Sequence, residues 1–316
     1  MIKSHYNRVF DFGCSFTCYR WLSWSDIIGL NTDADIIHKH SSSGSGVKHL
    51  YFNLQNVCKN QNLGATDLVL IQIPNLCRTE KIMQRSWTNM GDFELEYRGF
   101  AEAYFPEEFY GPQFRFYVLD HFAETMFYLE MIRMIIMSLP CDVEVIQTDE
   151  FDCDLEARLY SDPRQKLLEF SKDYDPDWCP ANHNLFIDSI TKIIDDYQDT
   201  IDYFKKYPNY RSYIESWVNS GDINTDIDKM NWMHDPHPSI SCSLDFVTHI
   251  YKIDITPKCQ SILDKHIAEW RHNIQTFLND DNLSNQHIHE AYRQMPFKEY
   301  EKFMESDKYL YHIWPF

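Results

Sequence analysis

Val9-Phe10-Asp11-Phe12-Gly13-Cys14-Ser15-Phe16-Thr17 is the stretch that decides the fold. Residues 9–12 are mostly β-branched or aromatic and predict a buried strand, and Gly13 allows the chain to turn sharply after it. Residues 21–30 carry apolar side chains at helical spacing, so Ser15 lies at a strand-to-helix turn. In open α/β sheets such turns face the ligand crevice, and a helix start nearby offers N–H groups to developing negative charge. Ser15 is therefore a candidate nucleophile.

A candidate base lies far downstream, in Asp235-Pro236-His237-Pro238-Ser239. An aspartate two residues before a histidine on a proline-stiffened loop can accept the imidazole Nδ1–H. The other nitrogen, Nε2, is then free to take a proton from a serine hydroxyl. Ser15, His237 and Asp235 would form one relay. The alternative is that Asp235 and His237 only cap a polar loop through local hydrogen bonds.

These two stretches resemble conserved blocks of the SGNH (GDSL-type) hydrolases. Residues 13–17 are similar to the family's Gly-Asp-Ser block, with Cys14 in place of the aspartate, and residues 235–239 are similar to its terminal Asp-His block. The likeness is strongest to divergent phage and environmental members. The resemblance implies a flavodoxin-like three-layer fold and ester hydrolysis by a Ser-His-Asp triad with an oxyanion hole and without a metal. It covers roughly residues 7–80, 115–150 and 230–255.

Two further stretches resemble the family's oxyanion blocks. The serine-glycine run 41–46 precedes an amphipathic helix pattern, and in the family a glycine N–H at this point donates to the oxyanion. Gly44 is the first choice for that donor and Gly46 the second, whereas the plain alternative is a flexible loop. Asn75 is similar to the asparagine of the family's Gly-x-Asn block, although Ile73 stands where that block has glycine.

Strand and helix patterns alternate from residue 9 to residue 146, which predicts a parallel sheet with right-handed crossovers. The predicted fold is therefore α/β, a flavodoxin-like three-layer α/β/α sandwich. We predict an SGNH-like domain over residues 1–256, with insertions at about 81–116 and 150–228. Residues 257–316 are predicted to form a helical C-terminal extension for packing or for assembly into a homo-oligomer. The aromatic-rich first insertion is interpreted as a satellite core or as a platform for sugar rings.

Composition narrows the class of protein. The chain has 316 residues, of which 44% are hydrophobic, so it can bury a sizeable core. A net charge of −19 argues against nucleic acid or anionic membranes as partners, because no basic surface offsets phosphate charge. Nine scattered cysteines fit reduced thiols. Without a signal peptide or a membrane-length apolar run, a cytoplasmic or virion-associated protein is expected, and no cofactor is expected.

Three functions follow from these patterns. The first is a serine esterase that removes an O-acetyl group from a carbohydrate, its partner being an ester-bearing small molecule or glycan. The second is a non-catalytic SGNH-like structural or glycan-binding protein, such as a phage component, which the C-terminal extension and the altered third block favour. The third is a metal hydrolase, for which His38 and His40 offer a half-site, although no second half of matching quality is present.

Overall fold

Strands and helices alternate over residues 8–147, as the sequence pattern predicts, except that two further strands follow one another at residues 78–92. A computed structural model describes residues 2–42, 45–74, 76, 78–83, 86–92, 114–148, 180–220, 227–228, 231, 237–278 and 295–311. The strands are β1 (Arg8–Phe12), β2 (Ile36–Lys39), β3 (Asp67–Ile73), β4 (Arg78–Met83), β5 (Ser86–Asp92), β6 (Asp142–Gln147) and β7 (Tyr309–Tyr311). The helices are α1 (Trp24–Asn31), α2 (Val47–Asn60), α3 (Phe114–Ser138), α4 (Pro180–Asp196), α5 (Gln198–Lys205), α6 (Tyr210–Asn219), α7 (Ile240–Tyr251), α8 (Pro257–Leu278) and α9 (Lys298–Met304).

Five of these strands form one sheet in the order β6-β3-β1-β2-β7, and every pairing in it is parallel. The neighbours β2, β1, β3 and β6 have the strand order of a flavodoxin-like doubly wound sheet. The predicted α/β fold class is therefore confirmed. Strand β2 pairs with one side of β1 and β3 pairs with the other side, so the direction in which strands are added reverses between β2 and β3. At this reversal the carboxyl end of β1 opens into the crevice where such sheets bind ligands.

Helices cover both faces of the sheet. Val9 points into a core cluster shared with α1, α7 and α8. Phe10 and Phe12 point to the opposite face, into a second cluster shared with α2, α3 and α5. Burying each large apolar side chain contributes about 1.5–3 kcal/mol, so both helical layers hold the sheet in place. The result is the three-layer sandwich that the alternating pattern predicts.

The C-terminal part of the chain packs on this core and also extends the sheet. Trp270 of α8 is fully buried in the same cluster as α1. The Ile37 N–H donates to the Lys308 carbonyl at 2.8 Å, where β7 pairs with β2. The extension predicted over 257–316 as helical thus also contains the edge strand of the sheet. The domain boundary at residue 257 remains a prediction.

The two predicted insertions are described in part. Residues 93–113 of the first lie outside the described residues, and so does 149–179 of the second. The described part of the second insertion contains α4, α5 and α6, and Phe204 of α5 is fully buried on the α3 side of the sheet. The Gln147 N–H of β6 donates to the Pro208 carbonyl at 2.9 Å, so the chain before α6 covers the end of β6. None of the helices in the described ranges is long and apolar enough to cross a membrane.

Candidate active site

Ser15 lies in a tight turn directly after β1. The Cys14 carbonyl accepts the N–H of Thr17 at 2.9 Å and that of Cys18 at 3.0 Å, which closes the turn around Ser15. Ser15 itself is only 4% exposed. Among the described residues, neither its N–H nor its Oγ forms a hydrogen bond. The turn therefore leaves both polar groups of Ser15 available for chemistry.

Gly13 allows this turn to approach β3 closely. A Cβ at position 13 would overlap the Thr17 hydroxyl and would lie 2.9 Å from the Cβ of Gln72. Real Cβ atoms essentially never approach other atoms that closely. The glycine that ends the first strand in the sequence pattern is thus required by packing.

Gly13→Ala is expected to lower the free energy of unfolding by about 1–3 kcal/mol, because the added methyl group forces Thr17 and Gln72 apart. Urea denaturation measures this loss. Gly64→Ala is the matched control, since a Cβ at position 64 meets no atom within 4 Å. Equal stability of the two variants would contradict the close packing described here.

A buried polar cluster fixes the turn to the sheet. Thr17 Oγ1 donates to Gln72 Oε1, and Gln72 Nε2 donates to Thr148 Oγ1 at 3.0 Å. The Thr148 hydroxyl donates to the Ile73 carbonyl at 2.8 Å. Cys14 Sγ lies 3.8 Å from both Gln72 Oε1 and Thr148 Oγ1. Cys14, at the family's aspartate position, is thus part of a buried cluster that joins β1, β3 and β6.

His237 faces the turn that contains Ser15. Its ring stacks on Tyr19 with centroids 3.8 Å apart and an interplanar angle of 11°. Its ring also meets the edge of Phe16 at a centroid distance of 5.4 Å. Phe16 directly follows Ser15 in the chain, so the imidazole and the serine lie in the same part of the molecule. Within the described part of the chain, Ser15 and His237 do not hydrogen-bond to each other.

Two side chains hold the backbone of the histidine loop. Trp21 Nε1 donates to the Pro238 carbonyl at 2.8 Å, and Asn231 Nδ2 donates to the His237 carbonyl at 3.0 Å. Trp21 is almost fully buried, which makes it a rigid anchor. Neither Trp21 nor Asn231 was among the site residues predicted from the sequence. Both side chains hydrogen-bond backbone carbonyls of the histidine loop, and no sequence motif marks a residue with that role.

Phe16 also contacts α6. Its ring meets Tyr210 edge-on at a centroid distance of 6.1 Å, and the Arg211 guanidinium lies 5.9 Å from it. Burial raises the pKa of the Tyr210 hydroxyl well above its ordinary value. Tyr210 therefore remains protonated and hydrogen-bonds Ser243 at 2.9 Å. This contact ties the part of the second insertion that forms α6 to the Ser15 turn.

The serine-glycine loop lies against the same turn. The Ser42 N–H donates to the Gly13 carbonyl at 3.1 Å, and Ser45 Oγ donates to it at 2.6 Å. Gly46, the second choice for an oxyanion donor, is the N-cap of α2. Gly44, the first choice, lies outside the described residues. The structure thus brings both ends of this loop to the Ser15 turn.

Asn75 and Asp235 also lie outside the described residues. The chain before Asn75 is the carboxyl end of β3, where Ile73 and Pro74 are buried. After Asp235 the described chain resumes at His237, whose contacts are given above. The triad of Ser15, His237 and Asp235, and the oxyanion hole of Ser15, Gly44 and Asn75, therefore remain predictions.

The two histidines of the metal half-site pack as aromatic rings. His38 stacks on Phe10 at a centroid distance of 4.4 Å, and His40 stacks on Phe12 at 5.0 Å. Burial lowers the pKa of the neighbouring His49 on α2 to about 4, so that ring is neutral at pH 7. In the described ranges, no group of three or more His, Cys, Asp or Glu side chains is arranged to hold a metal ion. The described contacts of His38 and His40 are thus those of core side chains.

A buried ion cluster behind the turn was not predicted. Lys39 Nζ pairs with Asp11 and donates to Asp26 Oδ1 at 2.9 Å, and all three side chains are fully buried. The alternation of side chains along a strand could have predicted which face of the sheet two of these residues occupy. Asp11 follows Val9 by two residues and Lys39 follows Ile37 by two, so both face the α1 side of the sheet.

Comparison with known proteins adds one distant likeness. No protein-family model matches the chain, and no curated protein matches it. Among solved structures, the chain is similar to protein YxiM from Bacillus subtilis, with 13% sequence identity and a TM-score of 0.26. The alignment covers 70% of this chain and 58% of that protein's chain. A likeness this weak identifies neither fold nor function, and the fold assignment above rests on the strand pairing alone.

Proposed function

We propose that this protein is a serine hydrolase of the SGNH type, with Ser15 as nucleophile and His237 as general base. The observation that supports this proposal best is the packing of the His237 ring on Phe16 and Tyr19. Ser15 and His237 are more than two hundred residues apart in the sequence. Their convergence at the carboxyl end of β1, at the reversal of strand order, is what ligand chemistry in this type of sheet requires.

In the proposed reaction, His237 removes the proton of Ser15 as Oγ attacks the ester carbonyl. Asp235 accepts the imidazole Nδ1–H and fixes the tautomer. The alcohol leaves with the proton from His237, and water then hydrolyses the acyl-enzyme by the same steps in reverse order. Stacking on Tyr19 restricts the ring to one plane, which favours a fixed direction of proton transfer.

The proposed oxyanion hole consists of the Ser15 N–H, the Gly44 N–H and the Asn75 side chain. The Ser15 N–H forms no hydrogen bond among the described residues, which leaves it free to donate. The loop that contains Gly44 is hydrogen-bonded to the Gly13 carbonyl on both sides of that residue. One such donor typically lowers the barrier by about 2.7–4 kcal/mol.

For the substrate, we propose an O-acetylated carbohydrate or another small ester. Tyr19 is partly exposed beside His237, and aromatic side chains offer flat apolar surface to sugar rings. The net charge of −19 disfavours nucleic acid as the substrate.

A fluorophosphonate probe tests the proposal directly, because it reacts covalently and preferentially with activated serine hydroxyls. We expect stoichiometric labelling, with peptide mass spectrometry locating the adduct on Ser15. The same protein unfolded in urea is the control and should remain unlabelled, since activation depends on the folded site. A folded protein that is labelled elsewhere, or not at all, would remove Ser15 from the mechanism.

A non-catalytic SGNH-like structural or glycan-binding protein is the second candidate. It is favoured by the low exposure of Ser15 and by the lack of a hydrogen bond between Ser15 and His237 in the described part of the chain. Hydrogen bonds in active sites are often formed only when substrate is bound, so this geometry is compatible with both candidates. Folded protein that the fluorophosphonate probe does not label, but that binds oligosaccharides in calorimetry, would favour the second candidate.

A further inference from the structure

We propose that Asp11 is a positioning residue that holds the Ser15 turn and the serine-glycine loop in register with each other. This inference rests on the proposed hydrolase function. Asp11 is in β1, four residues before Ser15, and its side chain is fully buried. It therefore acts on the chemistry only through the groups that it contacts.

One carboxylate oxygen of Asp11 binds the start of the serine-glycine loop. Asp11 Oδ1 accepts the Ser41 hydroxyl at 2.9 Å, the His40 N–H at 3.1 Å and, more weakly, the Ser41 N–H at 3.4 Å. Three donors converge on this oxygen from the point where β2 ends. The His40 N–H also donates to the Asp11 backbone carbonyl at 2.9 Å, so the Asp11 side chain adds to this strand pairing the contacts that position Ser41 at the start of the loop.

The other oxygen binds the groups that support the Ser15 turn. Asp11 Oδ2 accepts the Ser25 hydroxyl at 2.8 Å and pairs with Lys39. Lys39 Nζ in turn donates to the Thr17 carbonyl at 3.2 Å. Thr17 closes the turn around Ser15, so the carboxylate and the ammonium group connect the turn to the loop.

An uncharged isostere cannot reproduce these contacts. Asparagine has one acceptor oxygen, and its amide nitrogen would direct a donor towards groups that can only donate, either the Lys39 ammonium or the N–H groups of His40 and Ser41. Hydrogen bonds to a buried carboxylate are also stronger than neutral ones. Asp11→Asn should therefore shift the turn and the loop relative to each other. Displacements of about 1 Å at this distance from the chemistry can cost about 10²-fold in rate.

Asp11→Asn is expected to lower kcat for p-nitrophenyl acetate roughly 10- to 100-fold with KM changed less than about twofold, because transition-state geometry is lost and not binding. Turnover is expressed per folded active site. Circular dichroism gives the folded fraction, so loss of stability is separated from loss of positioning.

Asp67→Asn is the matched control. Asp67 is 2% exposed and pairs with Arg8 at 2.7 Å, at the amino end of β1 and β3, away from the Ser15 turn. This variant also removes a buried carboxylate charge, here from an ion pair that joins β3 to β1. It should lose stability and retain wild-type kcat per folded molecule.

Ser41→Ala provides a milder second variant that leaves the buried ion pair intact. It removes only the 2.9 Å hydrogen bond from the loop to Asp11. The N–H groups of His40 and Ser41 still reach Asp11 Oδ1, so we expect a smaller displacement of the loop and a fall in kcat of roughly 3- to 10-fold.

Three results would overturn the inference. Wild-type kcat in both Asp11→Asn and Ser41→Ala would show that Asp11 does not position the site. An equal kcat loss in Asp67→Asn would show that any buried charge deletion has the same effect. If Ser15→Ala hydrolyses the ester as fast as the wild-type protein, the proposed function and this inference are both rejected. The first two results leave the proposed function standing.

Discussion

Ser15→Ala is expected to lower kcat for ester hydrolysis roughly 10⁴- to 10⁶-fold, the range seen when one member of a serine-hydrolase triad is removed. His237→Gln should cause a loss of similar size, because a hydroxyl without its base is a weak nucleophile. The measurement is hydrolysis of p-nitrophenyl acetate at enzyme concentrations that exclude trace contamination.

The double variant Ser15→Ala/His237→Gln is the sharper part of this prediction. If the two residues act as a unit, the double variant loses about as much activity as either single variant. His249→Gln is the control, since His249 is an exposed histidine on α7 and should retain full activity. Losses that multiply in the double variant would mean that the two residues act independently.

The fold of the Ser15→Ala variant should be intact. Ser15 makes no hydrogen bond among the described residues, so its hydroxyl contributes little to the folded state. Its free energy of unfolding should stay within about 0.5 kcal/mol of the wild-type value. A larger loss would show that Ser15 has a structural role.

Lys39→Met is expected to lower the free energy of unfolding by about 3–5 kcal/mol. Methionine fills a similar volume without a charge. Asp11 and Asp26, both fully buried, would then lose the cation that pairs with both of them. Their hydrogen bonds from neutral groups would remain, but a buried carboxylate without a counter-charge is costly in a protein interior. Urea or thermal denaturation measures the effect.

Lys258→Met is the matched control for this prediction. Lys258 pairs with Asp33 at 2.6 Å, but the two side chains are 69% and 59% exposed. Exposed ion pairs contribute about 0–1 kcal/mol, because water screens the charges. A Lys39→Met protein as stable as Lys258→Met would show that the buried carboxylates are compensated by their other hydrogen bonds.

The sequence pattern predicted the parallel sheet because apolar side chains alone specify it. Strands β1, β3 and β6 lie where buried runs are visible in the sequence, and helix α3 matches a long apolar stretch. The first helix begins at Trp24 and not at residue 21, since the Ser23 N–H donates to Asp26 Oδ2 at 2.8 Å and caps the helix there. Strand β7 was missed because three residues are too few to show alternation.

The candidate site was predictable only where residues belong to a motif. The Ser15 turn and the histidine loop were found from their short blocks, and the structure places His237 against that turn. The ion cluster of Lys39 with Asp11 and Asp26 was not found. A charged residue within a strand normally indicates a solvent-facing position. Lys39 of β2 is buried because Asp11 of β1 and Asp26 of α1 pair with it. A linear pattern does not show which of these side chains will meet in the fold.

The pairing of β2 with β7 has a consequence for synthesis. Residues 36–39 leave the ribosome about 270 residues before residues 309–311, with which they pair. At about 5–20 residues per second, this interval is on the order of tens of seconds. During that time the edge of β2 that pairs with β7 has not yet met this partner, and unpaired edges are where chains associate wrongly.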